Sequence, residues 1–358
     1  MKKKISSIIT GTGSYIPKRK IPNSHFLDRT FLDSNGNPFE KSTQEIVNKL
    51  EEITGIKERR YVTDDLLASD IGAVASEKAI EAANIDPETL DYIIVAHNFG
   101  DVRADNKKVD LVPSLAARIK NKVGIKNPSC IAYDLPFGCP GWVQGLIQGH
   151  YYLQSGEIKR ILVVGTETLS RISDPHDRDS MIFSDGAGAA VLEAQQTDKK
   201  KGILSHAARS DTGREAYYLT MDSSNNPDKN DDLYIKMKGR RLYQYALSNV
   251  PTTVKESISK AEFDITDIQK VLIHQANEKM DRAIMKNLFK LYDKEEVPER
   301  LVPMTISWLG NSSVATIPTM LDLILRGEMD GHHINPRDVF IMASVGAGMN
   351  INSITYKM

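Results

Sequence analysis

The chain has 358 residues, enough for about two domains of ordinary size or for one unit with a duplicated core. Hydrophobic residues make up 41% and charged residues 26%, which excludes a disordered tail protein and leaves ample apolar material for a large core. Lys and Arg number 46 against 47 Asp and Glu, so no bulk basicity points to nucleic acid and any charged docking surface has to be local.

The N-terminal Met1-Lys-Lys-Lys begins like a signal peptide, but the apolar run behind it breaks at Thr10-Gly-Thr-Gly13, too early for an apolar targeting region. No stretch reaches the ~18 apolar residues of a membrane span. Cys130 and Cys139 are the only cysteines, too few for a disulfide scaffold. The expectation is a soluble cytoplasmic protein with no membrane insertion.

Further along, the chain echoes itself. Residues 79–98 (AIEAANIDPETLDYIIVAHN) and 256–277 (ESISKAEFDITDIQKVLIHQAN) each run from a helix-like stretch through an acidic turn into a β-branched strand, and Asp86 and Asp264 are 178 positions apart. The same offset of 178 pairs Ile161 in EIKRILVVGTE with Val339 in NPRDVFIMASVG. Both segments are continuous apolar runs, the pattern of a sheet covered on both faces. A looser pair, at an offset of 172, joins GCPGWVQGLIQG (138–149) to GNSSVATIPTML (310–321), each a Gly-containing turn opening an apolar helix. Three pairs in one order predict a duplicated α/β unit, with halves at 1–199 and 200–358. Residues 98–113 and 221–232 are polar and turn-rich, and are predicted to be irregular.

Within this frame a few residues could carry chemistry. Cys130, in SCIAYDL, reads as a small buried hydrophobe. Cys139 sits in Asp134-Leu-Pro-Phe-Gly-Cys-Pro-Gly-Trp142, ahead of a helical segment with apolar Val143, Leu146, Ile147 and Tyr151. A helix start favours thiolate, so Cys139 is either another buried hydrophobe or a nucleophile with a lowered pKa. His274 ends the strand VLIHQAN, where ligands meet open α/β sheets, although a satisfied core histidine fits as well. Asn311 reads alone as an ordinary N-cap. If the two halves face one another, the thiol, the imidazole and the carboxamide share one pocket. No metal-ligand spacing is present. In residues 278–293, Lys279, Arg282, Lys286 and Lys290 form one helical stripe, and Met280, Ile284, Leu288 and Leu291 another.

Eight segments, in order, are similar to the 3-oxoacyl-[acyl-carrier-protein] synthase III family of the thiolase superfamily: GTGSYIPKRKIPN (11–23), ITGIKERR (53–60), Cys139 with its helix, VVGTETLSRISDPHDR (163–178), FSDGAGAAVLE (183–193), HQAN (274–277), GNSSVATIP (310–318) and SVGAGMN (344–350). The resemblance implies a thiolase-like five-layer αβαβα fold with two pseudo-symmetric halves, and a homodimer. It implies that Cys139 takes an acyl group from acyl-CoA or acyl carrier protein, with the backbone N–H groups of Cys139 and Gly348 as its oxyanion donors. Malonyl-acyl-carrier-protein then loses CO2, His274 and Asn311 hold the enolate oxygen, and a 3-oxoacyl thioester leaves. No cofactor or metal is implied. Acyl carrier protein is acidic, and Lys279, Arg282 and Lys286 are its expected docking residues.

Several positions depart from the family pattern. Lys49 and Ile53 stand where CoA-using members have a Trp and an Arg around the adenine, although Arg178 still matches a nucleotide contact. This points towards a carrier-protein donor or a CoA held differently. Val112 replaces the Phe that closes the acyl pocket of the partner subunit, and Phe137 replaces a small residue before the cysteine. Together these suggest a specialised member making a secondary lipid or an aromatic polyketide, ranked below the general condensation. Three rivals carry weight: a non-catalytic thiolase-fold partner, a hydroxymethylglutaryl-CoA-synthase-like enzyme with a Glu base, and a cysteine hydrolase. The last is disfavoured by Pro140-Gly141 after the cysteine. A thiolase would need a second cysteine in SVGAGMN, which has none.

Overall fold

A computed structural model of the chain describes residues 5–229 and 232–358. The signal-like residues 1–4 and positions 230–231 of the polar stretch lie outside the described residues. Two sheets dominate. The first contains β1 (Ile5–Tyr15), β2 (Tyr92–His97), β3 (Ile131–Pro136), β4 (Arg160–Thr168) and β5 (Asp185–Gln196), in the order β1-β5-β4-β2-β3. The second contains β6 (Gly202–Ser210), β7 (Ile268–Ile273), β8 (Val339–Gly346) and β9 (Asn350–Lys357), in the order β6-β9-β8-β7. In each, one strand (β5 or β9) runs antiparallel to its neighbours, and the β2–β4 and β7–β8 pairs are parallel. The order therefore repeats, β1-β5-β4-β2 against β6-β9-β8-β7. Among the described residues no strand of the second sheet matches β3; at that edge the Leu301 carbonyl accepts from the Val271 N–H at 2.9 Å and the Arg300 carbonyl from Lys270 Nζ at 2.7 Å.

The helices are α1 (Thr43–Thr54), α2 (Ala68–Ala83), α3 (Leu115–Val123), α4 (Gly141–Gln154), α5 (Gly239–Lys260), α6 (Glu278–Lys290), the single turn α7 (Ile306–Leu309) and α8 (Thr316–Leu325). Successive residues of a strand face opposite sides, and here both sides are covered. Ile93 and Val95 of β2 pack with Ile71 and Ala79 of α2 and Ile119 of α3. Ile94, between them, packs with Trp142 and Leu146 of α4 and Met320 and Leu321 of α8. That central cluster continues to Phe340 and Met342 of β8 and Ile354 and Tyr356 of β9. Beyond the second sheet, Val254 and Ile258 of α5 and Ile284 and Leu288 of α6 cover Val271, Ile341 and Ile351. The layers are α2/α3, sheet, α4/α8, sheet, α5/α6: the five-layer thiolase-like arrangement.

The echo has a local basis as well. Asp86 and Asp264 each cap a short 3-10 turn, accepting from Glu88 N at 3.0 Å and Thr266 N at 3.1 Å. Gly138 and Gly310, before the central helices, have φ of 66° and 68°, the left-handed backbone that glycine adopts freely. Tyr151, expected on the apolar face of α4, is exposed, with its ring edge-on to that of His206 at 5.1 Å, while Leu153 in the same turn is buried. The stretch 98–113 is less irregular than expected, holding a short ribbon of Asp101–Val102 against Val109–Asp110. Residues Met221 and Asp222 belong to a strand, Leu219–Asp222, that pairs with Tyr234–Met237.

Trp142 is buried between the sheets and donates its indole N–H to the Val163 carbonyl at 3.1 Å. Trp142→Ala should lower the unfolding free energy by about 3–5 kcal/mol, read as a shift of the urea midpoint.

Candidate active site

The central helices begin side by side, and the turns that precede them share a chamber of about 290 Å³. Cys139, His274 and Asn311 all line it, with Gly138, Ser313 and Asn98. Apart from Thr220 the rest of the wall is apolar, including Phe99, Leu169 and Phe183, with Leu219, Met221, Ile235 and Met237 of the pair of short strands. No Asp or Glu side chain among the described residues lines it.

Cys139 stands two positions before the first residue of α4, and Pro140 occupies the N-cap. Gly346 allows this placement, because a Cβ there would fall 2.7 Å from the Cys139 backbone nitrogen. Of the two readings the sequence leaves open for Cys139, the nucleophile carries a lowered thiol pKa. The structure gives the opposite direction: burial pushes the Cys139 thiol up to about 11, with the Glu167 carboxylate adding to the rise and a hydrogen bond from Ser313 opposing it. Desolvation of the charged form outweighs the helix start. His274 is displaced for the same reason, and burial pushes its imidazole down to about 4. Its backbone N–H donates to the Ala343 carbonyl at 2.8 Å, which ties the end of β7 to β8. Its Nδ1 is sealed in the wall without a partner among the described residues, which leaves Nε2 for the chamber.

Asn311 is not an α-helix N-cap. A 3-10 turn, Ser313–Ala315, separates it from α8, and its Oδ1 accepts from the Ser313 N–H at 2.9 Å. With Oδ1 so engaged, the Nδ2 hydrogens remain for the chamber. Its backbone bridges to Phe183, and its carbonyl accepts from Ser184 N at 2.8 Å. In the 346–348 turn, Gly346 and Ala347 rather than Gly348 line the chamber.

Sequence reasoning missed three polar side chains. The Ser313 hydroxyl donates to Cys139 Sγ at 3.2 Å. Asn98 Nδ2 donates to Ser313 Oγ at 3.0 Å, and also to Glu167 Oε2. Glu167, fully surrounded at the end of β4, is pushed up to about 7, chiefly by burial. The rule that singles out His274, a polar residue at a buried strand end, also selects Glu167, and Asn98 just past β2.

A second cavity of about 470 Å³ shares Met237, Leu242, Ala276 and Met280 with the chamber and forms its antechamber. Lys41, Lys49, Ile53, Arg178 and Arg240 line it. The Arg178 guanidinium lies over the Phe39 ring at 4.5 Å. Lys279 and Arg282 of α6 are exposed beside this cavity but engaged within the chain: Lys279 pairs with Glu52 at 3.4 Å, and Arg282 with Glu278 at 2.7 Å. Lys286 and Lys290 are exposed on the same stripe, with no carboxylate partner among the described residues. Met280, Ile284 and Leu288 are buried as expected, whereas Leu291 lies just past the helix and is partly exposed. Cys130 is a buried hydrophobe. Val112 is 86% exposed and Phe137 half-buried, and neither lines its own chain's chamber.

Five layers in two matching halves, with a cysteine at their junction, define a thiolase-like condensing-enzyme fold. Residues 133–212 match the 3-oxoacyl-[acyl-carrier-protein] synthase III family, and residues 258–358 match the C-terminal region of the same family. The chain belongs to that family. Its solved relatives include the β-ketoacyl-[acyl carrier protein] synthase III of Thermus thermophilus, at 29% identity and TM-score 0.79, covering 98% of this chain and 99% of that one. The 3-oxoacyl-[acyl-carrier-protein] synthase III of Aquifex aeolicus VF5 is 26% identical with a TM-score of 0.77, covering 98% and 100%. The priming β-ketosynthase of the R1128 polyketide pathway is 25% identical with a TM-score of 0.80, covering 100% and 98%.

Burial of a neutral His274 makes a signed prediction. Its pKa is near 6.5 when unfolded and about 4 when folded, so its contribution opposes folding increasingly as the pH falls from 6.5 towards 4 and disappears above that window. His274→Gln should therefore gain stability on the wild type as the solution is acidified, by at most about 3 kcal/mol, in paired denaturant titrations where the other titrating groups cancel.

Proposed function

We propose that the chain catalyses a decarboxylative Claisen condensation. The observation that carries this reading is the convergence of Cys139, His274 and Asn311 on one apolar chamber. In the first half-reaction the Cys139 sulfur attacks the donor thioester, the acyl–sulfur bond moves to Cys139, and the donor thiol leaves with the proton. In the second, the malonyl group of malonyl-acyl-carrier-protein loses CO2. The resulting enolate attacks the acyl-cysteine, giving a 3-oxoacyl thioester and a cysteine thiolate that takes up a proton. His274 Nε2–H and Asn311 Nδ2–H are the donors for the enolate oxygen, and a neutral imidazole can donate there without first losing a proton. The backbone N–H groups of Cys139 and Gly348 are the proposed donors for the oxyanion at the acyl carbon. The absence of carboxylates from the chamber wall among the described residues disfavours a hydroxymethylglutaryl-CoA-synthase-like general base, since the hydrogen bonds of Glu167 reach the sulfur through Asn98 and Ser313.

Acyl carrier protein is the proposed partner for the malonyl group and for the starter. Lys49 and Ile53 offer no aromatic platform at their own positions, although Tyr243 lines the antechamber elsewhere, while Lys41, Lys49, Arg178 and Arg240 bring more positive charge than the single Asp179 among its described lining residues offsets, which suits a phosphate. The exposed Lys279, Arg282 and Lys286 stand beside it on α6. A homodimer is supported by β3, the edge strand of the first sheet, whose residues are only partly covered where β2 and β4 are buried, with exposed Ile131, Leu111 and Val112 nearby. In such a dimer Val112 is available to the partner's acyl pocket. Phe137, half-buried two residues before Cys139, is retained as an indirect influence on acyl choice. Fatty-acid initiation and the priming of a specialised lipid or polyketide both use this chemistry, and carrier-bound substrates would place it in the cytoplasm without a cofactor.

Intact-protein mass after brief exposure to acyl-CoA and acyl-carrier-protein donors tests the first half-reaction. An acyl adduct is expected on the wild type and absent from Cys139→Ala, with the carrier-protein donor loading faster. Loading of the alanine variant, or none on the wild type, would return the chain to the non-catalytic partner reading. His274→Ala and Asn311→Ala should still load but lose about 10²–10³-fold in condensation rate, measured as 3-oxoacyl product formed from the pre-loaded enzyme.

A further inference from the structure

We propose that Asn98 and Glu167 are positioning residues that fix the Ser313 hydroxyl as a hydrogen-bond donor to the Cys139 sulfur. The inference rests on Cys139 being the nucleophile, and follows from counting donors. Asn98 donates its backbone N–H to Glu167 Oε1 at 2.8 Å and one Nδ2 hydrogen to Oε2. Both carboxylate oxygens accept, as an ionised Glu167 does. This sets the Asn98 amide the one way round that leaves its second Nδ2 hydrogen for Ser313 Oγ, at 3.0 Å. Ser313 then accepts from Asn98, and its single hydrogen goes to Cys139 Sγ at 3.2 Å. The serine cannot drift, because it is buried, its N–H is held by Asn311 Oδ1 at 2.9 Å, and its φ of 52° lies in the left-handed region.

A donor at sulfur favours thiolate over thiol and acts against the desolvation that raises the pKa of Cys139. The state of Glu167 decides whether the donor stays there. His97 and Asp185 face Glu167 and act on it oppositely, His97 favouring ionisation and Asp185 opposing it. His97 Nε2 lies 3.0 Å from Asp134 Oδ2, and Asp185 accepts from Ser170 and from the Val62 N–H. If Glu167 took up a proton, one of its oxygens would become a donor facing the Asn98 donors. The amide would then turn its Oδ1 towards Ser313 and draw the hydroxyl hydrogen off the sulfur.

The test is the pH profile of Cys139 alkylation by iodoacetamide, in the full chain without acyl donor and with Cys139→Ala as the blank. Ser313→Ala should move the inflection up by about one pH unit, about tenfold slower alkylation below the inflection. Glu167→Gln is isosteric, keeps Ser313 and removes a negative charge. Charge alone would move the inflection down, whereas the relay moves it up, in the direction of Ser313→Ala. In the Ser313→Ala background, where the relay is already broken, Glu167→Gln should only lower the inflection, by the charge it removes. A fall or no change with Glu167→Gln, or an unchanged profile with Ser313→Ala, would overturn the relay. A protein that alkylates as expected yet loads no acyl donor would sink the condensing reading and leave this one standing.

Discussion

The close approach of two backbones at the junction of the halves is the constraint on which the rest depends. A Cβ on Gly346 would lie 2.7 Å from Cys139 N, one on Gly138 2.9 Å from Ala347 N, and one on Gly165 2.5 Å from the Val314 carbonyl oxygen. No side-chain thickness separates the strand ends from the opposite turns at these points. Cys139 therefore sits against the β8–β9 turn, and the 312–315 turn lies against β4. His274 is carried in by β7, which is hydrogen-bonded to β8, and Asn311 by its bridge to Phe183. The five layers hold these contacts in register. Their shared core around Trp142, Met320 and Phe340 joins the two halves, while each half keeps an outer cluster of its own.

Much of this was legible in the sequence, for physical reasons. Strands covered on both faces are apolar along most of their length, so β4 and β8 stand out and align. Asp86 and Asp264 mark equivalent places because the same short turn needs the same oxygen acceptor for its orphan N–H. The missing counterpart of β3 was not legible, since 301–303 carries no periodic signal and meets the sheet edge through one backbone bond, at Leu301, and a Gln275 side-chain bond to the Pro303 carbonyl. Nor was the pairing of Leu219–Asp222 with Tyr234–Met237, two short segments separated by polar residues.

The site was legible in its participants and not in its electrostatics. A helix start argues for a lowered thiol pKa, but the sequence does not say how completely the thiol will be surrounded, and burial reverses the sign. Val112 and Phe137 illustrate a different limit. Each was placed by register with other sequences, while the space each side chain occupies depends on how 98–113 folds and on what covers the β3 edge. Asn98 and Glu167 escaped notice because each is an ordinary polar residue near a strand end. Only the chain of hydrogen bonds through Ser313 joins them to Cys139.

Burial acts in opposite directions on the thiol and the imidazole, raising one to about 11 and lowering the other to about 4, so both are neutral at physiological pH. Such a pair does not form the ready-made thiolate–imidazolium couple of many cysteine nucleophiles. It suits the proposed reaction, whose covalent intermediate is an uncharged thioester and whose charge develops on oxygen. Negative charge on the enolate needs fixed donors at one atom, and a largely apolar wall, without carboxylates among the described residues, strengthens donors already in place. The same wall penalises a free thiolate, so charge on sulfur has to be met by donors built into the fold. The Ser313 hydroxyl is the side-chain donor found there. The chamber's low polarity thus favours the neutral stages of the reaction and makes each charged stage depend on a small number of oriented N–H and O–H groups.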